Sequence, residues 1–224
     1  NWVSSINQDK NGAIWVGTWG GGISKIEEES ILNFNIKNGL HDLKIWQIIN
    51  DREGNVIIGT NENGIDIFKG EHFVTYSEES GISNNQIWSI LQDNKNQFWF
   101  ATNSGISIYN QKTSNKEEQF DYINEENDRL ISNEVRFLKK DQQGRIWIGT
   151  SNGIVYTLSS DNIRSFVYPP RLNANISLDV IMGMDIDKDN NLWVGTLDGL
   201  IYYEINNNRI TMDENYYIRE CKKR

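Results

Sequence analysis

One motif written five times constrains this chain more than anything else in it. DKNGAIWVGT begins at Asp9, DREGNVIIGT at Asp51, DNKNQFWFAT at Asp93, DQQGRIWIGT at Asp141 and DKDNNLWVGT at Asp187. In every copy the aspartate stands eight residues before a small residue, namely Gly17, Gly59, Ala101, Gly149 or Gly195. A threonine always follows: Thr18, Thr60, Thr102, Thr150 and Thr196. The copies are 42, 42, 48 and 46 residues apart. A fixed period in this range marks a repeat architecture, in which each unit buries its apolar faces against its neighbours.

Each part of the motif has a mechanical reading. Three residues after the aspartate comes Gly12, Gly54, Asn96, Gly144 or Asn190, residue types that tolerate a positive φ. Asp9, Asp51, Asp93, Asp141 and Asp187 therefore open tight hairpin turns by capping backbone N–H groups. An apolar run precedes each turn and another follows it. A second glycine-bearing turn leads to a third run, and a looser fourth run closes the unit. Four short antiparallel strands per unit predict a propeller blade. Trp15, Trp99, Trp147 and Trp193 are expected to pack between blades, with Ile57 in their place in the second copy. The expected fold is all-β, a β-propeller of about five four-stranded antiparallel blades. It is either a closed five-bladed ring or, the favoured reading, an arc of a larger propeller. One propeller region covers 1–224, with blades near 1–36, 42–77, 84–123, 132–168 and 178–214. The glycine cluster Gly20, Gly21 and Gly22 falls in the second turn of its unit. No helix pattern follows it, so it reads as a turn and not a phosphate cradle.

Composition narrows the function classes. With 22 basic and 31 acidic residues the net charge is −9, and no basic patch is large enough to hold nucleic acid. The single cysteine, Cys221, cannot form an internal disulfide. No run approaches the roughly 18 apolar residues of a membrane helix, so no membrane contact by this segment is expected. The chain begins at Asn1 and not Met, which suggests a segment whose anchor or leader lies elsewhere. No cofactor and no metal are expected. DIDKDN from Asp185 looks like the start of a calcium loop, but it is the repeat turn in register and has Thr196 at position twelve. His41 and His72 stand apart without partner ligands.

The pattern N-x-V-x-x-I-x-x-D-x-x-G-x-I-W-V-G-T-x-x-G-G-I, which Asn1 to Ile23 follows nearly end to end, resembles the two-component regulator propeller repeat. Asn133 to Ile154 resembles it too, and Asn38-Gly39-Leu40 and Ser80-Gly81-Ile82 resemble the family's link before each blade. The resemblance extends to about Ile205. It implies an extracytoplasmic, non-catalytic sensor propeller of a hybrid histidine kinase, periplasmic or extracellular, often reading products of polysaccharide breakdown. It also implies partners: an oligosaccharide or other small ligand, further blades and downstream signalling domains of the same receptor, and a second copy where the receptor forms a homodimer. No kinase or receiver motif lies in this chain.

A ligand is expected on the face that carries the second turns and the links between blades. Trp19, Asn103, Asn152 and Asp198 lie on second turns, with Asn61 and Glu62 among them and His41, Asp42 and Glu134 beside them. Trp46, Trp88 and Arg136 share one repeat position, five before the aspartate, with Ser4 and Met182. Aromatic rings beside amides can stack on a sugar face, and Arg136 can take a carboxylate or sulfate in bidentate fashion. The alternative is that Trp46 and Trp88 only pack between blades. A propeller glycosidase needs two facing carboxylates, and the innermost positions supply none, Glu134 being the one near acid. A propeller lyase with a similar repeat and a protein-binding scaffold complete the alternatives.

Overall fold

The computed structural model describes residues 2–110, 119–128, 130–159, 162–167, 181–196, 199–206 and 209–212. They form five four-stranded antiparallel sheets, each a simple meander in chain order, as expected. The first contains β1 (Trp2–Gln8), β2 (Ile14–Trp19), β3 (Gly22–Glu27) and β4 (Ser30–Phe34). The second contains β5 (Ile45–Asn50), β6 (Val56–Thr60), β7 (Ile65–Phe68) and β8 (Phe73–Tyr76). The third contains β9 (Ile87–Gln92), β10 (Phe98–Thr102), β11 (Gly105–Tyr109) and β12 (Phe120–Ile123). The fourth contains β13 (Val135–Lys140), β14 (Ile146–Thr150), β15 (Gly153–Ser159) and β16 (Asn162–Val167). The fifth contains β17 (Ile181–Ile186), β18 (Leu192–Thr196), β19 (Gly199–Asn206) and β20 (Arg209–Met212). Two compact units result, residues 1–122 with the first three blades and 123–224 with the last two.

The repeat aspartate works through both carboxylate oxygens. Oδ1 of Asp9 accepts the N–H groups of Asn11 at 2.9 Å and Ala13 at 3.1 Å, which closes the turn. Oδ2 accepts the indole N–H of Trp15 at 2.9 Å. The same indole bond joins Trp99 to Asp93 at 3.2 Å, Trp147 to Asp141 at 3.0 Å and Trp193 to Asp187 at 2.9 Å. In the second blade, where Ile57 replaces tryptophan, the Asn55 side chain donates to Oδ2 of Asp51 at 2.6 Å instead. Gly12, Gly54, Asn96, Gly144 and Asn190 all have positive φ, between 67° and 96°. The threonine anchors the second turn: the Oγ1 hydroxyls of Thr18, Thr60, Thr102, Thr150 and Thr196 donate to the carbonyls of Gly22, Gly64, Gly105, Gly153 and Gly199. Gly20 and Gly22 sit in that turn with φ of 103° and 75°, and β3 follows directly.

The cores lie between consecutive blades. In residues 1–122, Trp15 and Ile23 meet Ile45, Ile48, Val56 and Ile58, and Ile57, Ile65 and Ile67 meet Ile87, Ile90, Phe98 and Phe100. In residues 123–224, Trp147, Ile154 and Tyr156 meet Ile181, Met184, Leu192 and Val194. The glycine before the threonine sets the spacing. A Cβ on Gly17 would lie 2.7 Å from Ile45 Cγ2, one on Gly59 2.9 Å from Ile87 Cγ2, and one on Gly149 2.7 Å from Met184 Sδ. Polar ties reinforce each joint. Ser5 Oγ accepts the Ile48 N–H at 2.9 Å, and Gln47 Oε1 accepts the Ile90 N–H at 2.6 Å. The residue after the repeat aspartate reaches the next turn, Lys10 Nζ to the Glu53 carbonyl at 2.7 Å and Gln142 Nε2 to the Lys188 carbonyl at 3.0 Å. One face of the first blade is uncovered, as the arc reading anticipates: Val3 and Ile6, in register with the buried Ile45 and Ile48, are 51% and 66% exposed.

Two predictions follow from these contacts. Gly59→Ala drives a methyl into Ile87 and should lower stability by about 1–3 kcal/mol, whereas Gly195→Ala, whose Cβ comes no closer than 3.9 Å to another heavy atom, should stay within about 0.5 kcal/mol. Urea unfolding of both variants checks the difference. The second concerns acid. Burial opposes ionisation of Asp9 and Asp187, but the indole and backbone N–H donors outweigh it and hold both carboxyls below their usual value. A carboxyl depressed in the folded state stabilises above its unfolded pKa, about 4, and the contribution disappears as pH falls through the folded value. The thermal midpoint should therefore drop steadily as the pH is lowered below about 4, and Asp9→Asn should flatten that slope.

Candidate ligand-binding face

In the innermost strand of every blade the pairing register slips by one residue at the same place. The slip falls between Val3 and Ser5, Ile45 and Gln47, Ile87 and Ser89, Val135 and Phe137, and Ile181 and Gly183. The residue skipped is Ser4, Trp46, Trp88, Arg136 or Met182, the position five before the aspartate. A bulge of this kind bends the strand and re-aims the skipped side chain. Packing between blades therefore falls to its neighbours, such as Ile45 and Ile48, and the bulged residue points elsewhere.

In residues 1–122 two of these bulged tryptophans join a continuous row of four indoles. Trp2 stacks on Trp19 with centroids 5.6 Å apart and planes 14° apart. Trp19 meets Trp46 edge-on at 4.6 Å, and Trp46 meets Trp88 at 4.3 Å. The row crosses the first three blades at the end that carries the second turns. Trp2 is 59% exposed and Trp19, Trp46 and Trp88 are half-buried, whereas Trp15, Trp99 and Trp147 are at most 1% exposed. Amides fix the indoles. Asn61 Oδ1 accepts the Trp46 indole N–H at 3.1 Å and Gln86 Nε2 at 3.1 Å. Asn103 Oδ1 accepts the Trp88 indole N–H at 2.8 Å, and Asn103 Nδ2 donates to Gln86 Oε1 at 2.6 Å.

Three charged groups complete the network. Lys44 Nζ lies 5.9 Å over the Trp19 ring and donates to Glu62 Oε1 at 2.8 Å. Asn61 Nδ2 donates to the same Glu62 oxygen at 2.9 Å. The hydrogen bond to Glu62 raises the Lys44 ammonium above its ordinary value, and the bond from Lys44 lowers the Glu62 carboxyl. Buried Asp42 accepts the Lys44 N–H on Oδ1 at 2.9 Å and the Glu62 N–H on Oδ2 at 2.8 Å.

Trp19, Trp46, Trp88 and Asn103, all expected at the site, are thus brought together. Glu134, Arg136 and Asn152 lie in residues 123–224. There Arg136 Nε donates to Glu134 Oε1 at 2.9 Å and Asn152 Nδ2 to the Ile131 carbonyl at 3.3 Å. Asp198 lies outside the described residues. His41 turns to fully buried Asp66: its backbone N–H donates to Oδ2 and its Nδ1 lies 2.9 Å from Oδ1, where Thr75 also donates. Sequence reasoning missed Trp2, Lys44 and Gln86. A signal existed, since all three stand seven residues before the repeat aspartate, as Glu134 does.

Residues 1–20, 81–104 and 129–152 match the family model described as two component regulator propeller. No curated protein matches the chain. Among solved structures, an extracellular domain assigned to a hybrid two component system of B. thetaiotaomicron is similar at TM-score 0.74 and 20% identity, over 94% of this chain and 30% of that one. A second such domain from the same organism gives 0.78 and 18%, over 95% and 31%. Virginiamycin B lyase from Staphylococcus aureus gives 0.71 and 15%, over 94% and 69%. The chain spans under a third of the length of the first two, and at these identities the likeness is one of fold.

The row has a spectroscopic signature. Indoles this close couple their transitions, so the far-ultraviolet circular dichroism should show an exciton couplet. Trp46→Ala removes the central ring and should abolish most of the couplet while costing less stability than Trp99→Ala, which empties a core site worth about 3–5 kcal/mol.

Proposed function

We propose that this chain, three segments of which match the two component regulator propeller model, is a non-catalytic, ligand-sensing propeller region of an extracytoplasmic signalling receptor. In this reading it binds an oligosaccharide on the tryptophan row of residues 1–122. Further blades and signalling domains of the receptor are its covalent partners, and pairing of two receptors is the route by which binding would be transmitted.

The observation that carries the reading is the row itself. Four of the eight tryptophans hold the repeat position and donate to its aspartate; Trp15, Trp99 and Trp147 are buried and Trp193 is half-buried. The other four are gathered in one part-exposed row, with the Trp46 and Trp88 indoles held by amides. Aromatic area with fixed polar neighbours is the composition of a binding surface more than of a core. The acids beside the row favour binding over hydrolysis, because both Asp42 oxygens hold backbone N–H groups and Glu62 is engaged by Lys44. The similar domains of B. thetaiotaomicron are extracellular, which supports the same setting here.

Thermal unfolding against an oligosaccharide panel tests this. A ligand present at a hundred times its dissociation constant adds about 2.7 kcal/mol, a rise of several degrees for a chain of this size. The rise should appear with at least one saccharide and vanish in Trp46→Ala and Trp88→Ala. A rise that survives both substitutions, or none with any saccharide, would contradict the proposal.

A further inference from the structure

We infer that the tryptophan row selects a neutral saccharide and discriminates against uronic and sulfated ones. This rests on the row being the ligand site and names the class of ligand that its surroundings admit.

The argument starts from charge. The network around the indoles holds two carboxylates, Asp42 and Glu62, and one ammonium, Lys44. Lys44 is the cation in this network, and its Nζ is bonded to Glu62 while lying over the Trp19 ring. An anionic sugar reaching Lys44 would have to share its ammonium with the Glu62 carboxylate and bring its own charge beside Glu62. Asp42 cannot swing away to relieve the repulsion, because it is 8% exposed and both its oxygens hold backbone N–H groups of the link and the second turn. Like charges brought into one site cost more than a rim contact returns.

What remains for a ligand is neutral. The indole N–H groups of Trp46 and Trp88 are committed to Asn61 and Asn103, so these rings offer apolar surface. Each amide nitrogen carries two hydrogens. One on Asn61 goes to Glu62, one on Gln86 to Asn61 and one on Asn103 to Gln86. The second hydrogen of each is a neutral donor suited to a hydroxyl. Stacking area flanked by uncharged amide donors matches a sugar ring that has hydroxyls and no acid group. The Arg136 guanidinium, which the sequence offered as an anion receptor, is itself paired with the Glu134 carboxylate.

Tryptophan fluorescence titrations of the purified chain at low salt test this. One arm uses neutral gluco-, manno-, xylo- and arabino-oligosaccharides, the other oligogalacturonate and heparin-derived oligosaccharides. The expected result is saturable quenching or blue shift with a neutral member, insensitive to salt, and at least tenfold weaker binding by every anionic one. Glu62→Gln should narrow that gap by raising anionic affinity. An anionic member that binds more tightly than all the neutral ones, and loses binding in Trp46→Ala, would overturn the neutral preference while leaving the row as the site. Binding that is unaltered in Trp46→Ala and Trp88→Ala, or no response to either arm, would remove the site itself and the inference with it.

Discussion

A single aspartate oxygen accepting an indole N–H is the interaction on which four of the five blades depend. One oxygen of the carboxylate closes the hairpin through backbone N–H groups, and the other reaches six residues on to the tryptophan that fills the joint. Local turn and long-range core are thereby tied to one side chain. A tryptophan can be buried in a joint only if its N–H is satisfied, and a carboxylate can be partly buried only if donors surround it. Each therefore permits the other. The second blade shows the logic by exception: without a tryptophan at Ile57, the vacant oxygen is taken by Asn55. The fourth adds a donor, with buried Arg145 Nε on Asp141 Oδ2 at 2.5 Å.

This arrangement frees another position. With the joint filled by the repeat tryptophan, the glycine and the isoleucines on either side, the apolar packing does not depend on the bulged residue of the innermost strand, although in the first blade the Ser4 hydroxyl there donates to the Ile45 carbonyl. The bulged residue is serine, tryptophan, arginine or methionine in the different blades. The bulge re-aims this side chain away from the apolar centre of the joint, so residues of different size are accommodated there. Two consecutive blades place tryptophan there, and the neighbouring Trp19 and Trp2 extend the pair into a surface. Function on a repeat scaffold is read most directly from positions that the repeat does not constrain.

The sequence made the fold legible because its signals were repeated five times. The aspartate, the positive-φ glycine or asparagine and the Gly-Thr pair each mark a turn or a close approach, and each sits where its chemistry requires. The site was legible in part. Trp46 and Trp88 were identifiable by register, but an apolar aromatic in a strand looks the same whether it faces a joint or solvent. Only the bulge decides, and a one-residue slip leaves no mark in composition. Trp2 and Gln86 escaped because their repeat position carries a different chemistry in each blade. The Asp66 pairing with His41 escaped for a similar reason: Ser107 and Ser83 take those places in the next blade.

The eight indole N–H resonances give the most direct test of the central claim, that one set of tryptophans builds the joints and the other meets the ligand. They should be followed in a 15N-labelled sample while a saccharide that stabilises the chain is added. The account predicts that the signals of Trp46 and Trp88 move, with those of Trp2 and Trp19, while Trp15, Trp99, Trp147 and Trp193 hold still on their aspartates. Movement confined to the second group, with the row unperturbed, would contradict it.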